Sequence, residues 1–251
     1  MDPLELPVSV VLALWAPLPS SFGAATVQGP DGAHTVLDAG PCAGDRLAGG
    51  AAPDAEPVAL EAWLRAARPL RHCAAVLPSP ADPVPGLALA LEAGQGVLVE
   101  GGASSSLEGR TVLLVPYTSG TSVTWWAHTL AASPPPFDAS QARRQVHAAT
   151  EEAIGTLTEL DLARERPELA ELLTDLVTAV LDPRLVPPSL DARRRDLLER
   201  SLRLAAVCEL ALDDDGAAAS AREAGRRHEV LRRLLVTARR GASAATETWG
   251  R

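Results

Sequence analysis

Residues 133–139 read SPPPFDA, and this short stretch constrains the fold more than any other. Each of the three consecutive prolines fixes φ and offers no N–H to a helix or a sheet ladder, so no regular element runs through them. The hydrophobic period also changes here. Before the prolines, apolar residues alternate or run together in short stretches closed by Gly and Pro. After them, apolar residues recur every three or four positions, the helical spacing. The chain therefore reads as a sheet-bearing part over 1–132, a proline-rich linker over 133–139, a helical part over 140–241 and a flexible tail over 242–251. The expected class is α+β: a small N-terminal α/β unit with a partly parallel sheet, packed on a C-terminal antiparallel helical bundle.

In the first part, 33–38 (AHTVLD) reads as a strand and 57–68 (PVALEAWLRAAR) as a helix with Pro57 near its first turn. Residues 70–78 (LRHCAAVLP) are apolar on both alternating faces, as in a strand covered on both sides. A helix over 85–94 and a strand over 96–100 follow. Strands over 110–117 and 121–130 flank Thr118, Ser119 and Gly120 as a hairpin. The start, MDPLELPVSVVLALWAPLP, has an acidic front and an apolar run too short to span a bilayer, so it reads as part of the fold. In the second part, Asp138 and Gln141 have capping-box spacing. Val146, Ala149, Ala153, Leu157 and Leu160 form a stripe. A second helix opens at Pro167, carries Leu169, Leu172, Leu173, Leu176, Val177 and Val180, and stops at Pro183. A third spans 190–212. A fourth spans 217–240, with Gly241 placed as the residue after its end.

Composition removes several kinds of chemistry. All 23 basic residues are arginine, so no Schiff base, lysine base or lysine phosphate clamp can come from this chain. A net charge of −9 disfavours nucleic acid and anionic membrane. The charge is uneven: residues 1–140 hold 5 Arg against 13 acids, while 191–240 hold 12 Arg against 9 acids. Cys42, Cys73 and Cys208 have no paired spacing, which suits a reducing, cytoplasmic setting without disulfides. Residues 117–121 (YTSGT) resemble the opening of the phosphate-gripping loop of adenylate-forming enzymes. That loop continues through a second Gly to a Lys, whereas here Ser-Val-Thr-Trp-Trp follows; a hairpin turn explains the five residues.

No catalytic pair emerges from the remaining side chains. Cys208 and His228 stand on the inner stripes of the last two helices, about 10 Å out of register if those helices are antiparallel neighbours. His72 and Cys73 are adjacent on a strand and point to opposite faces; His72 reads as a hydrogen-bonded core or edge histidine. His34, His128 and His147 lack ligand spacing, so no metal and no cofactor is expected. The best candidate is a sheet edge. If strands 71–77 and 96–100 are parallel, loops 78–86 and 100–109 open onto the same side. They would bring together Ser79, Asp82, Glu100, Gly101, Gly102, Ser104 and Ser105, with backbone N–H groups of the Gly/Ser-rich loop facing a small ligand. Of Trp125 and Trp126, one faces the core and the other packs under the helical part, or else anchors an interface. The arginine pairs 143–144, 226–227, 232–233 and 239–240 read as a solvated helix face, Glu223 and Glu229 pairing with Arg227 and Arg233.

The segments VVLALWA, AAVLPSPADPVPGL, EAGQGVLVEGG, TWWAHTLAA and RRHEVLRRLLVTARRGA resemble those of a group of uncharacterised proteins from GC-rich actinobacteria. The resemblance implies source and class, and no chemistry. The function expected from the residues is a non-enzymatic interaction or regulatory protein, with a protein partner or further copies of itself. The alternative is a small-molecule binder or enzyme using the two edge loops.

Overall fold

Residues 8–15, VSVVLALW, carry no charge and can be buried all round. The computed structural model describes residues 4–19, 22–29, 32–41, 56–82, 88–159, 171, 174–176, 178–213 and 221–250. In it this run forms α1 (Val8–Trp15), buried from Ser9 to Trp15. It lies against the sheet on one side and the helical part on the other, and Trp15 Nε1 donates to Leu185 O at 2.8 Å. The start of the chain is thus built into the fold. No helix among the described residues is long and apolar enough to cross a membrane.

The chain is α+β. After α1 come α2 (Phe22–Gln28), β1 (His34–Pro41), β2 (Val58–Ala59), α3 (Leu60–Ala67), β3 (Leu70–Val76), α4 (Ala88–Ala93), β4 (Gly96–Gly101), β5 (Thr111–Ser119) and β6 (Ser122–Leu130). The helical part contributes α5 (Ala139–Glu159), α6 (Ala192–Asp213) and α7 (Ala221–Thr246), and β7 (Thr248–Trp249) follows. One seven-stranded sheet has the order β2-β1-β6-β5-β4-β3-β7. Pro57 precedes the two-residue β2 and not a helix, which starts at Leu60. The hairpin turn falls at Gly120, whose φ of +61° suits the first of two turn positions.

The sheet is partly parallel, but the parallel pair is β1 with β6. β3 and β4 are antiparallel, with His72 opposite Glu100 and Val76 opposite Gly96. The alternating apolar pattern sets which face each side chain takes and is the same for either strand direction, so it does not distinguish the two pairings.

One sheet face buries Val97, Val99, Val112, Leu114 and Trp125 against α1 and the helical part. The other buries Val76, Leu98, Leu113 and Val115 under Ala90 of α4, with Phe137 beside them. β3 therefore places Cys73 and Ala75 in one core and Val76 in the other, as its doubly apolar sequence requires.

Asp138 caps α5 through Oδ1, which accepts from the N–H groups of Ser140 and Gln141 at 2.9 Å each. These bonds hold its carboxyl below the usual range. Asp191 caps α6 in the same way. Of the second expected helix, Leu169, Leu172, Leu173 and Val177 lie outside the described residues; Leu176 is buried and Val180 is exposed. α6 and α7 run in opposite directions: Arg194 reaches Ala245 O, and Arg227 reaches Ala211 O.

Arginine closes three helix ends. Arg68 Nε donates to Ala16 O at the end of α1, Arg227 Nη2 to Ala211 O in the last turn of α6, and Arg194 Nε to Ala245 O in the last turn of α7. Each guanidinium meets carbonyls that have no helical partner, where the dipole favours a cation. Of the arginines expected on a solvated helix face, Arg144, Arg226, Arg232, Arg233 and Arg240 are exposed, and Arg227 is the correction: it is buried. Arg233 pairs with Glu152 of α5; the side chain of Glu223 lies outside the described residues.

Two further corrections concern the chain end. Gly241 lies inside α7, where a Cβ would collide with Ser201 and Val146; it is Gly because two neighbouring helices come close, and the helix continues to Thr246. Residues 242–250 are no loose tail. Thr246 Oγ1 accepts from Ala75 N at 2.9 Å, β7 pairs with β3, and Gly250 N donates to Arg71 O at 2.7 Å.

Candidate functional site

The antiparallel β3–β4 pairing separates the two halves of the sequence-based site. Ser79 and Asp82 follow the end of β3, whereas Glu100 and Gly101 lie opposite its start, about 20 Å away along the strand. Residues 83–86 of the first loop lie outside the described residues.

Most backbone N–H groups of the Gly/Ser-rich loop bond within the fold. Gly101 N donates to Arg110 O, Gly102 N to Pro69 O, Ser105 N to Gly102 O and Ser106 N to Ala66 O. Ser104 N donates to Glu108 Oε2 and Leu107 N to Ser105 Oγ. These donors are engaged within the fold and do not face an anion. A Cβ at Gly101 would strike Ser105 and Leu107, which explains the glycine. Glu100 pairs with Arg71 at 3.1 Å.

The first loop is clamped to α7. Arg240 grips Asp82 with two bonds, Nε to Oδ2 at 2.7 Å and Nη2 to Oδ1 at 2.5 Å. Arg239 donates through Nη1 to Pro78 O at 3.1 Å and through Nη2 to Glu209 Oε1 at 3.0 Å. Ser79 is buried, its backbone O accepts from Asp82 N, and its Oγ has no partner. Asp82 is therefore a tie between the two parts of the chain.

Beside that clamp opens a cleft of about 270 Å³. Its walls come from the N-terminal segment, the end of β3, the α4–β4 turn, α6 and α7. Leu202, Ala205, Ala206 and Glu209 of α6 share one face at helical spacing and form one wall. Gln95 is fixed in the turn, its Oε1 accepting from Ser9 N at 3.2 Å. Glu5, Glu209 and Arg239 supply the charge. The sequence reading missed all four polar groups; the only signal was the arginine pair 239–240, which looks like any other pair.

Other reactive groups are held in structural roles. Burial pushes the thiols of Cys73 and Cys208 up to about 12, so neither is a nucleophile near neutral pH. Cys42 lies outside the described residues. His72 is buried, 3.0 Å from Glu247 through Nε2, and stacks on Trp249 with centroids 4.2 Å apart. Glu247 Oε1 also accepts from Phe137 N, tying linker, sheet and chain end together. Burial lowers the pKa of His34 and of His128; His34 Nδ1 accepts from Trp125 Nε1 at 3.2 Å. Among the described residues, no three His, Cys, Asp or Glu side chains could hold one metal ion. Trp125 faces the core. Trp126 points to the opposite sheet face, away from the helical part, edge-on to Tyr117.

Residues 140–243 match the family model of the Rv1486c-like protein, C-terminal domain. Rv1486c is a mycobacterial protein, and the match agrees with the resemblance to an actinobacterial group. No curated protein and no solved structure matches the chain. The matched span takes in α5, α6 and most of α7, including Glu209, Arg239 and Arg240.

Proposed function

We propose that the chain is a non-enzymatic, cytoplasmic interaction protein that docks a basic protein partner on the sheet face beyond α4. The observation that carries this is the Tyr117–Trp126 pair. The rings meet edge to face with centroids 5.8 Å apart, and Tyr117 is 38% exposed. Aromatics make up 3% of the chain, and Tyr and Trp on a surface are typical anchors of an interface. The surroundings are negative. Burial and the nearby carboxylate of Glu92 both raise the Tyr117 hydroxyl pKa, and acids dominate the first 140 residues. A partner offering Arg or Lys meets a complementary field.

The helical part, as an antiparallel bundle, is the base that holds this sheet. The ion pairs Asp82–Arg240 and Glu100–Arg71 support a structural role for the acids expected at the edge site. A photoreactive phenylalanine analogue at position 117, with exposed Ile154 as control, tests the proposal in cells. A basic partner crosslinked at 117, absent at 154 and lost on Glu92→Arg, supports it. Identical products at both positions, or a product indifferent to Glu92→Arg, sink it. A crosslinked second copy would replace the basic partner by self-association.

A further inference from the structure

We propose that the cleft between α6, α7 and the α4–β4 turn binds a short aliphatic ammonium. The cleft comes first. Its volume of about 270 Å³ equals the space of roughly nine waters, which suits a body of a few carbons with one polar head. The hollow exists because Ala205 and Ala206 of α6, Ala242 of α7 and Ala93 before the turn are small, while Leu4, Leu77 and Leu202 make its apolar lining. An alkyl chain gains from leaving water there.

The charge at the cleft sets the head group. Two carboxylates, Glu5 and Glu209, and one guanidinium, Arg239, line the cleft. Arg239 is already paired with Glu209 at 3.0 Å and bonded to Pro78 O. Among the described residues no side chain pairs with Glu5, which leaves one surplus negative charge at the mouth. Carboxylates only accept hydrogen bonds, so the complementary head is a cation with several N–H donors. An alkanoate would add a third carboxylate, and an alcohol would leave the charge unmet. A lysine of a second copy cannot fill the site, because the chain has none.

The test is titration of the full chain with n-pentylamine hydrochloride, pentan-1-ol and sodium pentanoate at pH 7 and low salt, followed by saturation-transfer NMR and calorimetry. Saturable binding of pentylammonium, at least about tenfold tighter than pentanoate, is expected from a hydrogen-bonded charge contact. Glu5→Gln should weaken it about two- to fivefold, as for an exposed charge. Glu5→Arg should reverse the preference toward pentanoate. Ala205→Phe fills the hollow and should abolish binding, with circular dichroism confirming that the variant is folded. Glu5 is exposed, so its two variants keep the proposal testable if Ala205→Phe does not fold. Non-saturable signals, equal binding of all three probes, or binding unchanged in Glu5→Arg would overturn it.

Discussion

Replacing Gly241 by Ala tests the close approach of α7 to α5 and α6. In most helix interiors the change stabilises by about 1 kcal/mol, because Gly loses more backbone entropy on folding. At 241 the new Cβ would land on Ser201 Oγ and on Cγ2 of Val146. The serine can rotate, but Val146 is β-branched and stiff within α5, so the strain passes to the helix spacing. Overpacking of this kind costs about 1–3 kcal/mol, which outweighs the propensity gain and leaves Gly241→Ala about 1 kcal/mol less stable. Gly225, in the same helix, has nothing within 4 Å of a built Cβ, so Gly225→Ala should gain about 1 kcal/mol. The two variants should differ by about 2 kcal/mol, or about 4–8 °C in Tm for a chain of this size. Urea and thermal melts by circular dichroism measure both. Val146→Ala should cost less in the Gly241→Ala background than alone, since the two sites touch. A Gly241→Ala protein melting with or above Gly225→Ala would refute the reasoning.

Arg227→Met removes the donor to Ala211 O from a buried position and should cost about 1–3 kcal/mol; Arg226→Met, at an exposed position, should stay within about 0.5 kcal/mol in the same urea melt. With their pKa values at about 12, Cys73 and Cys208 should be silent to a thiol reagent at pH 8 in the native protein and react once urea unfolds it. Burial depresses His34 and His128, so below about pH 6.5 the unfolded chain takes protons that the folded chain refuses. Stability should therefore be whole above that pH and decline as pH falls toward 5.5, and His34→Gln should flatten part of the decline. A Tm that rises over that interval would contradict the burial of both rings.

Much of the architecture was legible because it rests on local patterns. β3 is apolar on both faces and has a core on each; Gly120 turns the hairpin; Asp138 caps α5. Strand direction was not legible. Alternation shows which face a residue takes and is blind to which way the strand runs. The arginines mislead for a related reason. Arg226 and Arg227 are chemically identical neighbours, yet one is exposed and the other buried under the end of α6, a difference made by a helix packed alongside. The cleft was illegible because Glu5, Gln95, Glu209 and Arg239 come from four separate elements. Only the Arg239–Arg240 pair marks it, and as a sequence that pair is indistinguishable from 232–233.

The bond between His72 and Glu247 spans 175 residues, and β7 covers the outer edge of β3 just beside it. Closing so large a loop adds little to the equilibrium cost, but it makes this contact late and slow. Until the last few residues arrive, β3 presents a bare edge on a strand that is apolar on both sides, the arrangement most open to pairing with another chain. A product shortened by five residues would keep nearly all of its core and still lack the cover that keeps it apart from its neighbours. The final strand thus covers a sheet edge that would otherwise offer itself to a second chain.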